Sequence, residues 1–323
     1  MPLFRNDIEP ESDFVSEPLP IAPPEPKGGL RNFWDQHDYL LNLVTPLEEF
    51  GVPVIDAVGL TLYESIHAEE SIPAFKIAPG DELIPRGTIV TDRMVGLLTG
   101  MGIDKVIARP NPRVVVIALS EQAAPVSYTV TAAAKQAGAF EHRVSAITDS
   151  PDKAVKAIME QLVRADLLVT VGGFGEGGVD IRKIADHLGP HDFTPVAVTP
   201  GRDQGFALAG DGDERIPLLA LPADAASAFV LTKLLVAPVI RHLMGAEDES
   251  LSLLRGELAQ PVRVTPGVVT CVPGTVTDGR IAISGRISGL DGAYRTYRAN
   301  ALIVLDSQDG LADTSSETWY LRL

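Results

Sequence analysis

Apolar residues in the middle of the chain alternate between short continuous runs and helical spacing. Residues 114–119 and 167–171 are apolar almost throughout, which is typical of strands buried on both faces of a sheet. Residues 129–137 and 152–162 place apolar side chains three and four positions apart, and they predict helices. This alternation favours a mixed, mostly parallel sheet with helices on both faces, in which ligands lie on the loops after the carboxyl ends of the strands.

The same pattern predicts further elements on either side of this region. One helix starts at Asp35 and ends before Pro46, because proline disfavours the helical conformation of the residue before it. Other helices are predicted over residues 91–101, 179–188 and 224–244, and other strands over residues 52–55, 193–198 and 216–221.

Beyond Gly245 the pattern changes to short alternating runs separated by Gly, Pro or Asp. Such runs predict a small antiparallel β domain. Its strands are predicted over residues 262–264, 267–272, 280–284, 294–298 and 302–305.

The expected fold class is therefore an α/β central domain with a mixed, mostly parallel sheet, a small C-terminal β-barrel domain and an N-terminal helical and extended segment. Residues 1–32 are rich in proline and acidic residues and have little apolar periodicity, so we expect a disordered tail there. The other expected boundaries are 33–112 for an N-terminal linker subdomain, 113–246 for the α/β domain and 247–323 for the β-barrel domain.

Composition and charge narrow the classes of function. The chain has 27 Lys+Arg against 43 Asp+Glu, a formal net charge of −16 that repels a nucleic-acid backbone. The single cysteine, Cys271, excludes an internal disulfide and a thiolate metal cluster. The first residues lack the apolar run of a signal peptide, and the most apolar stretch, residues 225–240, is shorter than the ~20 residues that span a bilayer. We therefore expect a cytoplasmic protein with no nucleic-acid partner and no membrane span.

A glycine-rich segment follows the second buried strand and precedes the next predicted helix. Glycine lets the backbone approach a ligand closely, and the N–H groups at a helix start can face an anion. The spacing matches neither the dinucleotide pattern G-x-G-x-x-G nor a Walker A loop. A ligand-binding loop and a plain tight turn both fit this segment. The candidate ligand-binding residues are Gly172, Gly173, Gly175, Gly177 and Gly178.

Residues 166–180 around these glycines match the pattern D-x-V-V-T-S-G-G-V-S-V-G-D-x-D at several positions. Further segments match patterns of the same family in the same order, at residues 72–75, 88–106, 196–202, 221–228 and 298–305. The last three resemble V-A-M-K-P-G-K, L-P-G-N-P-V-S-A and R-A-N-G-L-I-V-L. From about residue 33 to residue 323, the chain resembles the MoeA/gephyrin E-domain family, the molybdopterin molybdenumtransferases.

The resemblance implies a molybdopterin-binding-like α/β domain, a C-terminal β barrel and an elongated homodimer. Enzymes of this family insert molybdate, with Mg²⁺, into the dithiolene of adenylylated molybdopterin and release AMP. Molybdopterin and Mg²⁺ are therefore the ligands expected of this chain if catalysis is retained; otherwise no cofactor and no metal site are expected.

The chain departs from the family at residues that carry the chemistry. Phe75 is followed directly by Lys76, so the family segment with D-G-Y-A and the β subdomain after it have no counterpart. The T-G-D-E pattern is replaced at residues 119–122, the first aspartate of G-D-x-D falls on Gly178, and the lysine of K-P-G-K falls on Thr199. The residual candidates are Glu121 and Asp180 as catalytic carboxylates and Arg202 as a ligand-binding cation.

Each residual candidate also has a plain structural interpretation. Asp180 fits the N-cap of the helix predicted over residues 179–188, since aspartate is a preferred capping residue. Glu121 and Arg202 fit solvated surface charges. The chain is therefore interpreted as a shortened family member with a degenerate active site.

Two classes of function remain. The first is a non-catalytic homodimeric scaffold that binds a protein segment; the alternative is a molybdopterin molybdenumtransferase or a pterin-binding helper in molybdenum cofactor biosynthesis. In gephyrin-type scaffolds an extended peptide lies between the α/β domain and the β domain, and the acidic surplus here favours a basic or neutral peptide. The candidate partner-binding residues are Pro238, Met244, Tyr294, Tyr297 and Arg298.

Overall fold

The computed structural model describes residues 18–71, 73, 76–212, 215–247, 253–314 and 317–323. Residues 1–17 of the predicted tail, and most of the match at residues 72–75, lie outside the described residues. Residues 18–32 are called the N-terminal segment below.

The α-helices of the described chain are α1 (Phe33–Leu43), α2 (Asp92–Gly100), α3 (Ala123–Gln136), α4 (Pro151–Met159), α5 (Ile181–Ile184), α6 (Ala225–Leu231), α7 (Ala237–Leu243) and α8 (Gly289–Arg298). A π-helical stretch, Thr232–Val236, joins α6 to α7 in one continuous helix. Short 3₁₀ turns occur at Val54–Ala57, Leu162–Arg164 and Ala185–His187.

The strands up to the end of the α/β domain are β1 (Phe50–Pro53), β2 (Thr61–Leu62), β3 (Ile66–His67), β4 (Glu82–Ile84), β5 (Lys105–Arg109), β6 (Arg113–Ala118), β7 (Phe140–Ser145), β8 (Leu167–Val171), β9 (His191–Asp192), β10 (Val198–Thr199), β11 (Gly205–Ala209) and β12 (Ile216–Leu221). The strands of the C-terminal domain are β13 (Leu254–Leu258), β14 (Val262–Arg263), β15 (Val269–Thr277), β16 (Arg280–Ile283), β17 (Ala301–Leu305), β18 (Leu311–Ala312) and β19 (Glu317–Arg322).

The central sheet has the strand order β7-β6-β8-β12-β11-β9 in the described chain. The first four strands are parallel, and β11 runs antiparallel to both of its neighbours. Two apolar layers cover the sheet: α1, α3 and the α6–α7 helix on one face, and α4 and α5 on the other. This confirms the predicted mixed, mostly parallel sheet with helices on both faces.

The α6–α7 helix lies in the larger of these apolar layers. Among the described residues, Ala225–Leu243 alone is long and apolar enough to cross a membrane by length and composition. In its most apolar window 67% of the residues are buried, as in the core helix of a folded domain.

The C-terminal domain is a closed barrel. Strands β15, β16, β13, β19 and β17 pair in that order, and β17 pairs again with β15. The short strand β10 of the α/β domain adds to β15 in parallel, with Val198 opposite Val269. The two domains are therefore joined by backbone pairing as well as by chain connection.

The N-terminal subdomain has its own small core. A sheet of order β1-β5-β2 packs with α2 around the buried residues Val52, Leu62, Leu98 and Val106. Strands β3 and β4 form a separate antiparallel pair, and residues 68–81 connect them.

The N-terminal segment differs from the predicted disordered tail. Arg31, which is 2% exposed, donates through Nη1 to Asp192 Oδ1 (3.2 Å) and through Nη2 to Asp192 Oδ2 (2.9 Å). Its Nε donates to the carbonyl oxygen of Pro24 (2.8 Å). The Tyr39 hydroxyl donates to the carbonyl oxygen of Ile21 (2.8 Å), and burial raises the pKa of Tyr39 to about 12. Composition alone does not reveal this buried ion pair, which ties the segment to the α/β domain.

Two predicted strands are wrong. Residues 193–197 connect β9 to β10, which starts at Val198, and the next strand, β11, was not predicted. Residues 294–298 lie in α8 rather than in a strand. Tyr and Thr favour strands in general, but here Tyr294 and Tyr297 are three positions apart on one helix face.

Candidate functional site

The glycine-rich loop starts where β8 ends, between the carboxyl ends of β6 and β12. The Leu119 N–H donates to the Val171 carbonyl (3.0 Å), and the Gly172 N–H donates to the Leu221 carbonyl (2.8 Å). The loops after three neighbouring strands therefore meet at this edge, as expected for the ligand-binding edge of such a sheet.

Two of the loop glycines lie close against the segment that follows β6. Gly178 has a φ of 73°, and a Cβ built on it would lie 2.6 Å from the carbonyl oxygen of Leu119. A Cβ on Gly172 would lie 3.1 Å from Ser120 Oγ. Gly175 and Gly177 also have positive φ but face open space. The loop is thus a tight turn packed on its neighbour at both ends and open in its middle.

The Glu176 carboxylate binds two backbone N–H groups at the glycine-rich loop. One oxygen accepts a hydrogen bond from the Phe174 N–H (2.7 Å), and the other accepts from the Ala223 N–H (2.9 Å). These donors lie on the loops after β8 and β12. The side chain therefore links the loop after β8 to the loop after β12.

Asp180 is an N-cap, as one of its two sequence interpretations predicts. It accepts from the Arg182 N–H (3.1 Å), from Arg182 Nε (2.8 Å) and, through its second oxygen, from Arg182 Nη2 (2.7 Å). The hydrogen bonds from Arg182 lower the pKa of Asp180, against the opposing effect of burial. Both of its oxygens are engaged by one arginine.

Arg182 is surrounded by acidic groups and an aromatic ring. Asp180 raises the pKa of Arg182 most strongly, and Asp203 and Glu176 add smaller contributions. The guanidinium lies 5.7 Å from the centre of the Phe174 ring. The Arg182 guanidinium is therefore already paired with the chain's own carboxylates.

Two other candidate residues lie on the surface. Glu121 and Arg202 are exposed. Asp224 caps α6 and accepts from the Ser227 N–H (2.9 Å) and hydroxyl (2.6 Å). Among the described residues, no group of three or more His, Cys, Asp or Glu side chains is placed to hold a metal ion.

A pocket of about 760 Å³ lies between the two domains, and sequence reasoning missed it. It is bordered by Thr199 and Pro200 of the α/β domain and by the barrel. Its lining includes two arginines, Arg263 and Arg286, and no carboxylate, in a chain with 43 acidic residues. The sequence shows only that Arg263 and Arg286 lie close to short strands of the β domain. It does not show that they line one pocket, because the fold brings the lining residues together.

Cys271 also lines this pocket. Burial raises the pKa of its thiol to about 12, so the side chain stays protonated and unreactive at neutral pH. The pocket therefore offers cationic and hydroxyl groups rather than a nucleophile.

The predicted partner-binding residues do not form one groove. Pro238 and Met244 are buried in the core, where the Met244 sulfur packs against Gly138, so they cannot line a surface. Tyr294 and Tyr297 are 62% and 80% exposed, and their ring centres are 6.1 Å apart. They lie on α8, which contacts α6. The prediction is corrected to an exposed tyrosine pair on α8, with Arg298 at the end of the same helix.

Comparison with known proteins identifies the class of fold. A family model described as a probable molybdopterin binding domain matches residues 121–242. The molybdenum cofactor biosynthesis protein of Pyrococcus furiosus superposes with a TM-score of 0.71 at 21% identity, covering 90% of this chain and 98% of that one. The MoeA molybdopterin biosynthesis protein of Pyrococcus horikoshii gives 0.74 at 13%, covering 91% and 100%. The fold is that of MoeA.

Sequence similarity leads to the same family. The molybdopterin molybdenumtransferase 1 of Mycobacterium tuberculosis is 30% identical over 206 residues, which are 59% of this chain and 48% of that protein. The chain thus spans about half the length of the curated relatives it matches. The family model, the sequence matches and the fold together support a MoeA-like family, and the matched relatives are molybdopterin molybdenumtransferases.

Proposed function

We propose that this chain is a MoeA-like protein of molybdenum cofactor metabolism that lacks molybdenumtransferase catalysis and acts in the cytoplasm as a homodimeric scaffold or protein-binding module. The observation that carries this proposal is the Glu176 carboxylate bound to the N–H groups of Phe174 and Ala223 (2.7 and 2.9 Å). A substrate anion at this loop has to displace a group that belongs to the loop itself. Such an internal ligand loses no translational freedom on binding, which favours it over a free anion.

The carboxylates around the loop also support the loss of a Mg²⁺-dependent step. Asp180 is bound by Arg182, and Asp224 by Ser227. Glu121 is exposed at the end of β6. A hard divalent cation takes several oxygen ligands, and two of these three carboxylates already bind other side chains.

Expression of this chain in a strain that lacks its molybdenumtransferase is expected to leave molybdoenzyme activity at the level of an empty vector. Loss of one electrostatic group typically costs about 10²- to 10³-fold in rate, and here several are changed together. The matched control is the molybdopterin molybdenumtransferase 1 of Mycobacterium tuberculosis at the same protein level. Activity restored to the level of that control would contradict the proposal.

The inter-domain pocket favours a second candidate, a pterin-binding helper. Its volume of about 760 Å³ is that of a small-molecule site. Arg263 and Arg286 suit the phosphate of a pterin, because guanidinium groups bind phosphate oxygens in pairs. The pterin-binding candidate does not depend on the role of Glu176, because Glu176 lies in the glycine-rich loop and does not line the pocket.

Calorimetric titration with molybdopterin tests this second candidate. It predicts micromolar binding that Arg286→Ala weakens at least about tenfold, since a charge-assisted hydrogen bond contributes on the order of 1.5–3 kcal/mol. Arg280→Ala is the control, because Arg280 is exposed on β16 and does not line the pocket. The absence of binding by the unmodified chain would reject the pterin-binding candidate and leave the scaffold proposal standing.

In the scaffold proposal, the partner binds at the exposed surface of α8. Tyr294 and Tyr297 present two adjacent exposed rings, and tyrosine is enriched where proteins bind one another. Arg298 ends the helix beside them. The net charge of −16 supports a neutral or basic peptide as the ligand of this surface.

A further inference from the structure

Helix α8 and the segment before it carry a charge that is opposite in sign to the net charge of the chain. Residues 280–298 contain four arginines and one acidic residue, Asp291, whereas the whole chain has a formal net charge of −16. Net charge alone supports a neutral or basic ligand, but salt screens exposed charges that lie more than about 8 Å away at physiological ionic strength. The charges next to the ligand therefore decide which segment binds α8, and these charges are mainly positive.

The arginines of α8 are exposed and have no acidic partner among the described residues. Arg295 and Arg298 lie in the last turn of the helix. In the part of the chain that the structure describes, no carboxylate forms an ion pair within 4.0 Å with either guanidinium. By contrast, Arg113 pairs with Asp166 at 2.6 Å on the α/β domain. The two guanidinium groups of α8 are thus available to the carboxylates of a ligand.

Tyrosines and arginines form two rows along α8. Tyr294 and Tyr297 are three positions apart, and so are Arg295 and Arg298, so the members of each row are neighbours on the helix surface. The side of the helix that carries Gly292 faces the barrel, because a Cβ built there would lie 2.9 Å from the backbone of the segment before the helix. The tyrosine row points away from that side, and its rings are 62% and 80% exposed.

We propose that α8 binds an acidic, extended segment of a partner protein, in which carboxylate side chains alternate with apolar ones. Guanidinium groups bind carboxylates through two parallel hydrogen bonds. Helix residues three positions apart have Cβ atoms about 5–6 Å apart, and alternate residues of an extended segment are about 6.6 Å apart on one side. Carboxylates at alternate positions therefore match the spacing of Arg295 and Arg298, and the apolar residues between them face the tyrosine row. This ligand rests on the proposed function, in which α8 binds the partner.

Fluorescence anisotropy with labelled synthetic peptides tests the sign of the ligand. The three probes alternate leucine with aspartate, with lysine or with serine. The full chain is expected to bind the aspartate peptide with a micromolar dissociation constant that rises with salt, because the contact is between exposed charges. The lysine and serine peptides are expected to bind at least about tenfold more weakly, since one meets like charges and the other offers no charge to the arginines.

Charge reversal on the helix tests the site. The Arg295→Glu and Arg298→Glu double variant is expected to weaken binding of the aspartate peptide at least about tenfold and to strengthen binding of the lysine peptide. The matched control is the Lys153→Glu and Lys156→Glu double variant, which reverses two exposed lysines that are also three positions apart, on α4. It changes the net charge equally and is expected to leave the affinity within about twofold, because only charges near the ligand act strongly. All four positions are exposed, so thermal unfolding is expected to stay unchanged.

The possible results separate this ligand from the scaffold proposal. A preference for the lysine peptide that disappears in the Tyr294→Ala and Tyr297→Ala double variant would overturn the acidic ligand and leave α8 as the partner surface. An equal loss of affinity in the α4 control would assign the binding to overall charge and overturn the site. If none of the three peptides binds, both the acidic ligand and the α8 surface of the scaffold proposal are wrong.

Discussion

Asp192→Asn is expected to lower the free energy of unfolding by about 3–5 kcal/mol, the usual cost of removing one partner of a buried ion pair. Arg31 is 2% exposed and donates two hydrogen bonds to Asp192, so the variant leaves a buried guanidinium without its counter-charge. Denaturant unfolding measures the loss. Glu247→Gln, which removes the exposed partner of Arg86 (3.6 Å), is the control and is expected to cost less than about 1 kcal/mol. Equal effects of the two substitutions would contradict the anchoring role of Arg31.

The same variant has a pH signature. Burial alone would raise the pKa of Asp192, but hydrogen bonds from Arg31 and Thr194 outweigh it and leave the pKa below its ordinary value. A carboxyl with a lowered pKa stabilises the fold fully above its unfolded pKa of about 3.9, and this contribution is lost as the pH falls towards the folded pKa. Asp192→Asn should therefore differ most from the unmodified protein near neutral pH, and the difference should shrink below about pH 4. A difference that is constant between pH 7 and pH 3 would contradict this assignment.

Gly178→Ala is expected to cost about 1–3 kcal/mol more than Gly177→Ala. Both residues have positive φ (73° and 99°), so both variants bear the backbone strain of about 1–3 kcal/mol. Only at Gly178 does the new Cβ meet the Leu119 carbonyl oxygen, at 2.6 Å; at Gly177 it faces open space. Because the neighbour is backbone, relief requires movement of the loop or of the end of β6, and overpacking of this kind costs about 1–3 kcal/mol.

Denaturant unfolding of the two glycine variants, measured side by side, separates the two contributions. If Gly178→Ala and Gly177→Ala lose the same stability, the loop does not pack against β6 as described. A larger loss for Gly178→Ala supports the placement of the glycine-rich loop that the functional proposal uses.

Continuous apolar runs predicted the first and last residues of some strands. The predicted strands 167–171 and 216–221 coincide with β8 and β12, because strands buried on both faces need apolar side chains at almost every position. Strand β11 was missed: its sequence Gly-Phe-Ala-Leu-Ala has no β-branched residue and follows a turn-rich stretch. It is a strand because it pairs with β9 and β12, which is a tertiary effect.

The candidate site was less predictable than the fold. Asp180 was identified as a possible helix cap because capping depends on residues close in sequence. The role of Glu176 depends on the N–H of Ala223, which belongs to a different strand end. The arginines of the inter-domain pocket likewise come from two segments of the β domain. Contacts of this kind leave no periodicity or spacing in a single sequence.

The most direct test of the central claim is an assay of AMP release by the purified chain, supplied with adenylylated molybdopterin, molybdate and Mg²⁺. With Glu176 bound to the loop donors and Asp180 bound to Arg182, we expect no release above the rate without protein. The Mycobacterium tuberculosis relative serves as the positive control. Molybdate- and Mg²⁺-dependent AMP release by this chain at a rate within about tenfold of that control would contradict the loss of catalysis.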